Sequence, residues 1–144
     1  MEHKTRIRTN NEDLYEIAEQ EGVSVLTYAL PKCTAVTMPC GDGEYAIGID
    51  PSVLDDSKKE RVVVAHELGH CVTGSIYTRY QDKVLKDKAE YTATKWEVLN
   101  LIDKDEFLDL LKQGYSVWEL AEIYDVTEDL IKQAYHFYCE LKIA

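Results

Sequence analysis

The chain has 144 residues, of which 45% are hydrophobic and 30% are charged, and its formal net charge is −11. A chain of this length and composition can bury one core without disulfides, so we expect a single domain over residues 1–144. The strongly negative charge repels nucleic-acid phosphates and anionic membranes, which argues against both as partners and favours a cation or a basic protein segment.

The N-terminus and the cysteines indicate where the protein works. The opening MEHKTRIRTN has no apolar stretch of the kind found in signal peptides, and no apolar run approaches the length of a membrane span. We therefore expect a cytoplasmic protein. The cysteines show no C-x-x-C pairing, and free structural thiols are the expectation, although Cys33 and Cys40 could lie near each other across a hairpin.

One helix and three short strands are predicted before residue 50. Residues 11–21 place apolar side chains at helical spacing, and Gly22 ends that pattern. Residues 23–30, 34–38 and 45–49 are predicted strands, separated by Pro31 and by a turn at residues 40–43. Three strands in so short a stretch predict a small, mostly antiparallel sheet.

A long helix is predicted next. Ser57 and Glu60 have the spacing of a capping box, which predicts a helix from there to about residue 72, with Gly74 as its stop. Residues 76–87 are polar and are predicted to form a loop.

The rest of the chain is predicted to be helical. Residues 88–102 and 105–112 have helical spacing, and Gly114 ends the second of these helices. Ser116 and Glu119 form a second capping box, and Thr127 caps a last helix that runs to residue 141. A helix, then strands, then helices is the order of an α+β fold.

Residues 66–70 read His-Glu-Leu-Gly-His in the middle of the first long helix. Side chains four residues apart project from one face of a helix, so both imidazoles can approach one zinc ion. Glu67 lies beside them and can move a proton between water and a leaving amine. A helix that merely carries two histidines is the alternative, but half of the four histidines fall within these five residues. The pattern predicts a zinc site with His66 and His70 as ligands and Glu67 as the catalytic residue.

A catalytic zinc needs a third protein ligand. Glu90 lies twenty residues after His70 on the next predicted helix, where a crossing helix can present its N-terminal turn to the metal. Spacing alone favours Glu90 only slightly over a solvated glutamate at the start of a helix. His3 and His136 are the remaining histidines.

The motif and the segment EYTATKW at residues 90–96 together resemble the ImmA/IrrE metallopeptidases of phages, integrative elements and bacterial stress regulation. The likeness extends to DLYEIA at residues 13–18 and WELA at residues 118–121. The resemblance implies that Glu90 is the third zinc ligand. It also implies a zincin-like catalytic core over about residues 1–102, with the sheet packed on the zinc helix and a helical extension over about residues 103–144.

The resemblance further implies cleavage of a transcriptional repressor, which releases silenced genes. In one position the chain departs from the family. Many relatives carry Asp or Asn directly after the alanine of the Glu-x-x-Ala segment, where it can orient a histidine ligand, and this chain has Thr94. The group that orients the histidine is therefore expected to be weaker or to come from elsewhere.

Amide hydrolysis also needs a donor for the developing oxyanion. The candidates are Tyr77, Tyr80, Tyr91 and His136, of which Tyr80 is favoured slightly, although with ten tyrosines each is more simply explained as core or surface.

Residues 116–138 have the spacing of a helix-turn-helix pair. The second helix opens with Glu128 and Asp129, and acids outnumber lysines in this region, so a helical hairpin is favoured over a DNA-binding element.

The sequence leaves three hypotheses for the function: a zinc endopeptidase, a zinc-containing anti-repressor module that binds without cutting, and a DNA-binding regulator. Glu67 favours the first, because a module that only binds needs no base beside the ligands.

Overall fold

A computed structural model describes residues 11–141, in which a helix is followed by three strands and five further helices. The fold class is α+β, as predicted. The helices are α1 (Glu12–Gln20), α2 (Ser57–Thr73), α3 (Lys83–Leu101), α4 (Lys104–Lys112), α5 (Val117–Tyr124) and α6 (Glu128–Tyr135). The strands are β1 (Ser24–Thr27), β2 (Ala35–Gly41) and β3 (Glu44–Ile49), and a 3₁₀ helix spans Pro51–Asp55.

The sheet is mixed, which corrects the prediction of a mostly antiparallel sheet. The strand order is β1-β3-β2: β2 pairs with β3 antiparallel, and β1 pairs with β3 parallel. β1 ends at Thr27 because the chain then leaves the sheet and passes to the other side of β3 before β2 begins. The tight turn between β2 and β3 could be read from its glycines, but the parallel pairing is a long-range contact without a local sequence signal.

Helix α2 carries the His-Glu-Leu-Gly-His motif, and its N-terminus differs from the prediction. The cap is Asp56, whose side chain accepts a hydrogen bond from the backbone N–H of Lys58 at 2.9 Å. The predicted capping box is wrong, because the Ser57 hydroxyl donates to Asp125 and the Glu60 carboxylate accepts from Tyr15. The helix ends as expected, one residue later than predicted, at a left-handed Gly74 with φ 68°.

Helix α3 begins at Lys83, so the second part of the predicted loop is helical. Asp82 caps it by accepting a hydrogen bond from the backbone N–H of Leu85 at 3.0 Å. The prediction missed this cap because the stretch around Asp82 is polar, which is typical of a loop. Glu90 consequently lies two turns inside α3 rather than in its N-terminal turn.

Helices α2 and α3 cross in close contact at Gly69. A Cβ atom on Gly69 would lie 2.6 Å from the backbone oxygen of Ala93, and Ala93 is itself fully buried. Only a glycine on one helix and a small residue on the other let the two backbones approach this closely. This crossing sets the distance between the motif and the residues that α3 presents to it.

The C-terminal helices pack on the same core as α2 and the sheet. Phe107 and Phe137 are fully buried in one hydrophobic cluster with Leu68 and Ile47. The capping box of Ser116 and Glu119 is present, as predicted. The predicted final helix is divided, since α6 ends at Tyr135 and a π-helical turn spans His136–Glu140.

Two further features concern the cysteines and membranes. Cys33 and Cys40 are both free and exposed. Within residues 11–141, no helix has the combination of length and apolar character that crossing a membrane requires.

Candidate metal centre

Three side chains from α2 and α3 converge in a group that could hold a metal ion. His66 Nε2 lies 2.8 Å from one carboxylate oxygen of Glu90, and His70 Nε2 lies 3.1 Å from the other. One potential ligand atom from each residue falls within 4.8 Å of the others. The structure therefore brings together the two histidines of the motif and the glutamate predicted from the next helix.

The second nitrogen of each imidazole also has a partner. His66 Nδ1 lies 3.1 Å from Oε1 of Glu97, and His70 Nδ1 lies 2.6 Å from the backbone oxygen of Ser75. A carbonyl oxygen only accepts, so Nδ1 of His70 carries a proton, and Nε2 is the nitrogen that can bind a metal once it has lost its own proton. Histidine ligands of metals characteristically donate their other N–H to a carboxylate or a carbonyl in this way. The donor set therefore fits a metal ion.

The Ser75 carbonyl reaches His70 because α2 ends immediately before it. Gly74 adopts the left-handed conformation and its N–H donates to the carbonyl of His70, as does the N–H of Ser75 at 3.1 Å. The chain thus folds back over the last turn of the helix, and both the backbone and the ring of His70 are hydrogen-bonded to it.

The electrostatics of the group are those of two imidazoles sharing one carboxylate. Burial disfavours the charged form of His66, but hydrogen bonds to Glu90 and Glu97 outweigh burial and raise the pKa of His66 to about 10. The same opposition of burial and Glu90 gives His70 a raised pKa. Hydrogen bonds from both histidines hold the pKa of Glu90 well below its usual range. The two histidines thus supply the positive charge that stabilises the Glu90 carboxylate. A bound metal cation can supply that positive charge in their place.

Glu67 faces the same cleft, which has a volume of about 170 Å³ and is bounded by β2, α2 and α3. The Thr37 hydroxyl, on β2, donates to Oε1 of Glu67 at 2.7 Å. Sequence reasoning did not find Thr37, because its position beside the motif depends on how the sheet packs against α2. The hydrogen bond holds the carboxylate in the cleft that His70 and Glu90 also line.

Of the four candidate oxyanion donors, Tyr77 lies in the cleft. Its hydroxyl donates to Oε2 of Glu90 at 2.7 Å, and this bond, with burial, raises the pKa of Tyr77 to about 12. Tyr80, which the sequence slightly favoured, is 82% exposed, and Tyr91 is hydrogen-bonded to His136 on the surface.

The other residues considered at the sequence level fall elsewhere. His136 pairs with Tyr91 and Glu140 rather than joining the group, and His3 lies outside the described residues. The acceptor beside His66 is Glu97, one helical turn beyond Thr94. Glu90, Thr94 and Glu97 are spaced by four and three residues, so the signal that could have found Glu97 is its place on the Glu90 face of α3.

Comparisons of the chain with protein-family models, with curated proteins and with solved structures found no match. The assignment of an activity therefore depends on the chemistry of this site.

Proposed function

We propose that the protein is a zinc-dependent metallopeptidase, and the observation that carries this proposal is the grouping of His66, His70 and Glu90 beside Glu67. Two imidazole nitrogens and one carboxylate oxygen form a donor set common in catalytic zinc sites, which keep a further position open. Both Nε2 atoms point at the Glu90 carboxylate, and both Nδ1 atoms have acceptors that leave Nε2 available. This arrangement favours zinc over cations that prefer all-oxygen sites.

Glu67 is the proposed catalytic residue. Zinc held by the three ligands would supply Lewis acidity, which makes water more acidic and an amide carbonyl more electrophilic. Glu67 would take the proton from the attacking water while the new C–O bond forms. It would then deliver that proton to the amide nitrogen as the C–N bond breaks, which releases a carboxylate and an amine. The Thr37 hydroxyl, which donates to Oε1 of Glu67 at 2.7 Å, would hold the carboxylate in place during both transfers.

Tyr77 is the proposed donor to the carbonyl oxygen on which negative charge develops. Its hydroxyl lies in the cleft and carries its proton at neutral pH, as an ordinary tyrosine does, and hydrogen bonding to Glu90 raises its pKa further, to about 12. A rotation of the hydroxyl away from Glu90 would present it to a substrate.

The proposed substrate is a peptide segment of a regulatory protein. β2 is an edge strand, and its residues Ala35, Val36 and Thr37 line the cleft, so an extended peptide has backbone groups to pair with. The likeness to ImmA/IrrE metallopeptidases supports a transcriptional repressor of a phage or mobile element as that protein. The net charge of −11 supports a basic segment as the docking partner.

The test is a comparison of the wild type with Glu67→Gln and with Glu19→Gln, an exposed glutamate on α1. Each protein is loaded with one equivalent of zinc and incubated with a library of peptides, and new N-termini are identified by mass spectrometry. We expect cleavage by the wild type and by Glu19→Gln, and none by Glu67→Gln although it binds zinc equally. A chelator should abolish cleavage.

Two outcomes would contradict the proposal in different ways. A wild type without zinc affinity at neutral pH would remove the metal site. Zinc binding without cleavage of any peptide, or of a candidate repressor, would favour the anti-repressor module that binds without cutting.

A further inference from the structure

Glu97 is a carboxylate in an unusually costly position. It lies on α3 between the buried Ala93 and Leu101 and is only 2% exposed. Its Oε1 meets Nδ1 of His66 at 3.1 Å, and its Oε2 is buried without a hydrogen-bond partner among the described residues. A buried carboxylate with an incomplete set of partners costs free energy, and replacing a buried ion pair as a whole by apolar side chains of similar volume is often neutral or stabilising. The stability of the fold does not explain this residue.

Among residues 11–141, the hydrogen-bond partner of Glu97 is a side chain of the proposed zinc site. A carboxylate on Nδ1 keeps the proton of a neutral imidazole there, and the lone pair of Nε2 is then directed away from Glu97. In this structure Nε2 of His66 points at Glu90, 2.8 Å away. The contact with Glu97 therefore selects the tautomer and the ring orientation that metal binding through Nε2 requires.

The two histidines differ in the acceptor that orients them. His70 is oriented by a backbone oxygen of Ser75, which no side-chain substitution removes, whereas His66 depends on the side-chain carboxyl of Glu97. Substitution of the residue that orients a histidine ligand typically lowers metal affinity. The affinity of the site for a metal should accordingly be sensitive to Glu97.

We propose that Glu97 is a positioning residue that fixes the tautomer and orientation of His66 and thereby sets the zinc affinity of the site. The role rests on the proposed metal site, but Glu97 itself binds neither the metal nor a substrate. This role explains why a carboxylate is found at a buried position. It also explains how a chain with Thr94 can still orient His66.

The experiment measures zinc affinity, by competition with a chromophoric chelator at neutral pH, for Glu97→Leu, Glu97→Gln and the control Asp87→Asn. Asp87 lies on the exposed side of α3 and pairs with Lys83. We expect zinc affinity to fall about 10- to 100-fold in Glu97→Leu and less in Glu97→Gln, which keeps a neutral acceptor, and to stay unchanged in Asp87→Asn.

Two readouts separate positioning from a structural role. Long-range ¹H–¹⁵N spectra of the zinc-loaded wild type should show His66 protonated at Nδ1 and bound through Nε2. The Tm of the zinc-free Glu97→Leu protein should fall, because Nδ1 of His66 loses its partner, whereas Glu97→Gln, which keeps an acceptor for that nitrogen, should lose zinc affinity with little change in Tm. If Glu97→Leu does not fold, Glu97→Gln supplies the affinity comparison.

The proposal is overturned if both Glu97 variants keep the zinc affinity of the wild type, or if His66 is bound through Nδ1. These results leave the metallopeptidase proposal standing. Failure of the wild type itself to bind zinc overturns both proposals, and the loss of zinc from Glu90→Ala identifies the metal site independently of Glu97.

Discussion

Gly69→Ala should weaken zinc binding without touching a ligand. The new Cβ would lie 2.6 Å from the backbone oxygen of Ala93, whereas ordinary contact begins at 3.4 Å, so the two helices have to part by about 0.8 Å. Ligand distances in metal sites tolerate deviations of only about 0.2 Å. Because Glu90 moves with α3 and the histidines with α2, we expect zinc affinity to fall at least about tenfold, or about 1.4 kcal/mol.

The effect on stability should be smaller. Overpacking a buried contact costs about 1–3 kcal/mol, and the better helix propensity of alanine returns about 1 kcal/mol. We therefore expect the free energy of unfolding of the zinc-free protein to fall by about 0–2 kcal/mol, with the helical circular dichroism retained. Thermal unfolding and chelator competition on the same preparation measure the two quantities separately.

A double-mutant cycle with Glu90→Ala tests whether Gly69→Ala lowers the zinc affinity by displacing Glu90. If Gly69→Ala acts by displacing Glu90, its effect on zinc affinity should be much smaller once Glu90 has been removed. Additive losses would mean that the substitution disturbs the histidines instead. An unchanged zinc affinity in the single variant would refute the argument that the crossing distance of α2 and α3 controls the site.

Two further predictions concern catalysis and pH. Thr37→Val keeps the shape of the side chain but removes the hydroxyl that holds Glu67. Peptide cleavage should therefore slow about tenfold while the zinc content stays unchanged. The control is Thr92→Val at an exposed position of α3, and an equal effect of that substitution would contradict the prediction. In zinc-free protein the pKa of His66 is raised to about 10, so its contribution to stability is complete below about pH 6.5 and is lost as the pH rises through 10. The Tm should fall over that range, and fall less in His66→Ala; a rise would contradict the ion-pair arrangement.

Local patterns were sufficient for the motif helix and its approximate end. His66, Glu67 and His70 needed only the periodicity of a helix, and Gly74 marked its end. Glu90 could be ranked above the other candidates, but its approach to the histidines depends on the crossing of α2 and α3 at Gly69. The sequence shows Gly69 only as a residue inside a motif.

The features of the sheet and of the site that escaped prediction are tertiary. The parallel pairing of β1 with β3 joins segments about twenty residues apart, and neither carries a turn signal for it. Thr37 approaches Glu67 because the sheet packs on α2. Glu97 reads in the sequence as one more acid on a charged helix, and only its burial distinguishes it from the solvated acids around it.

The end of α2 has a consequence for how the five-residue motif is recognised. Gly74 stops the helix so that the carbonyl of Ser75 folds onto His70, and the turn that ends the helix therefore also orients this imidazole. A helix that continued for another turn would bury the same carbonyl in its own hydrogen bonds and leave the second histidine without that acceptor. The motif at residues 66–70 is therefore an incomplete description of the site. Gly74, four residues after His70, also belongs to it.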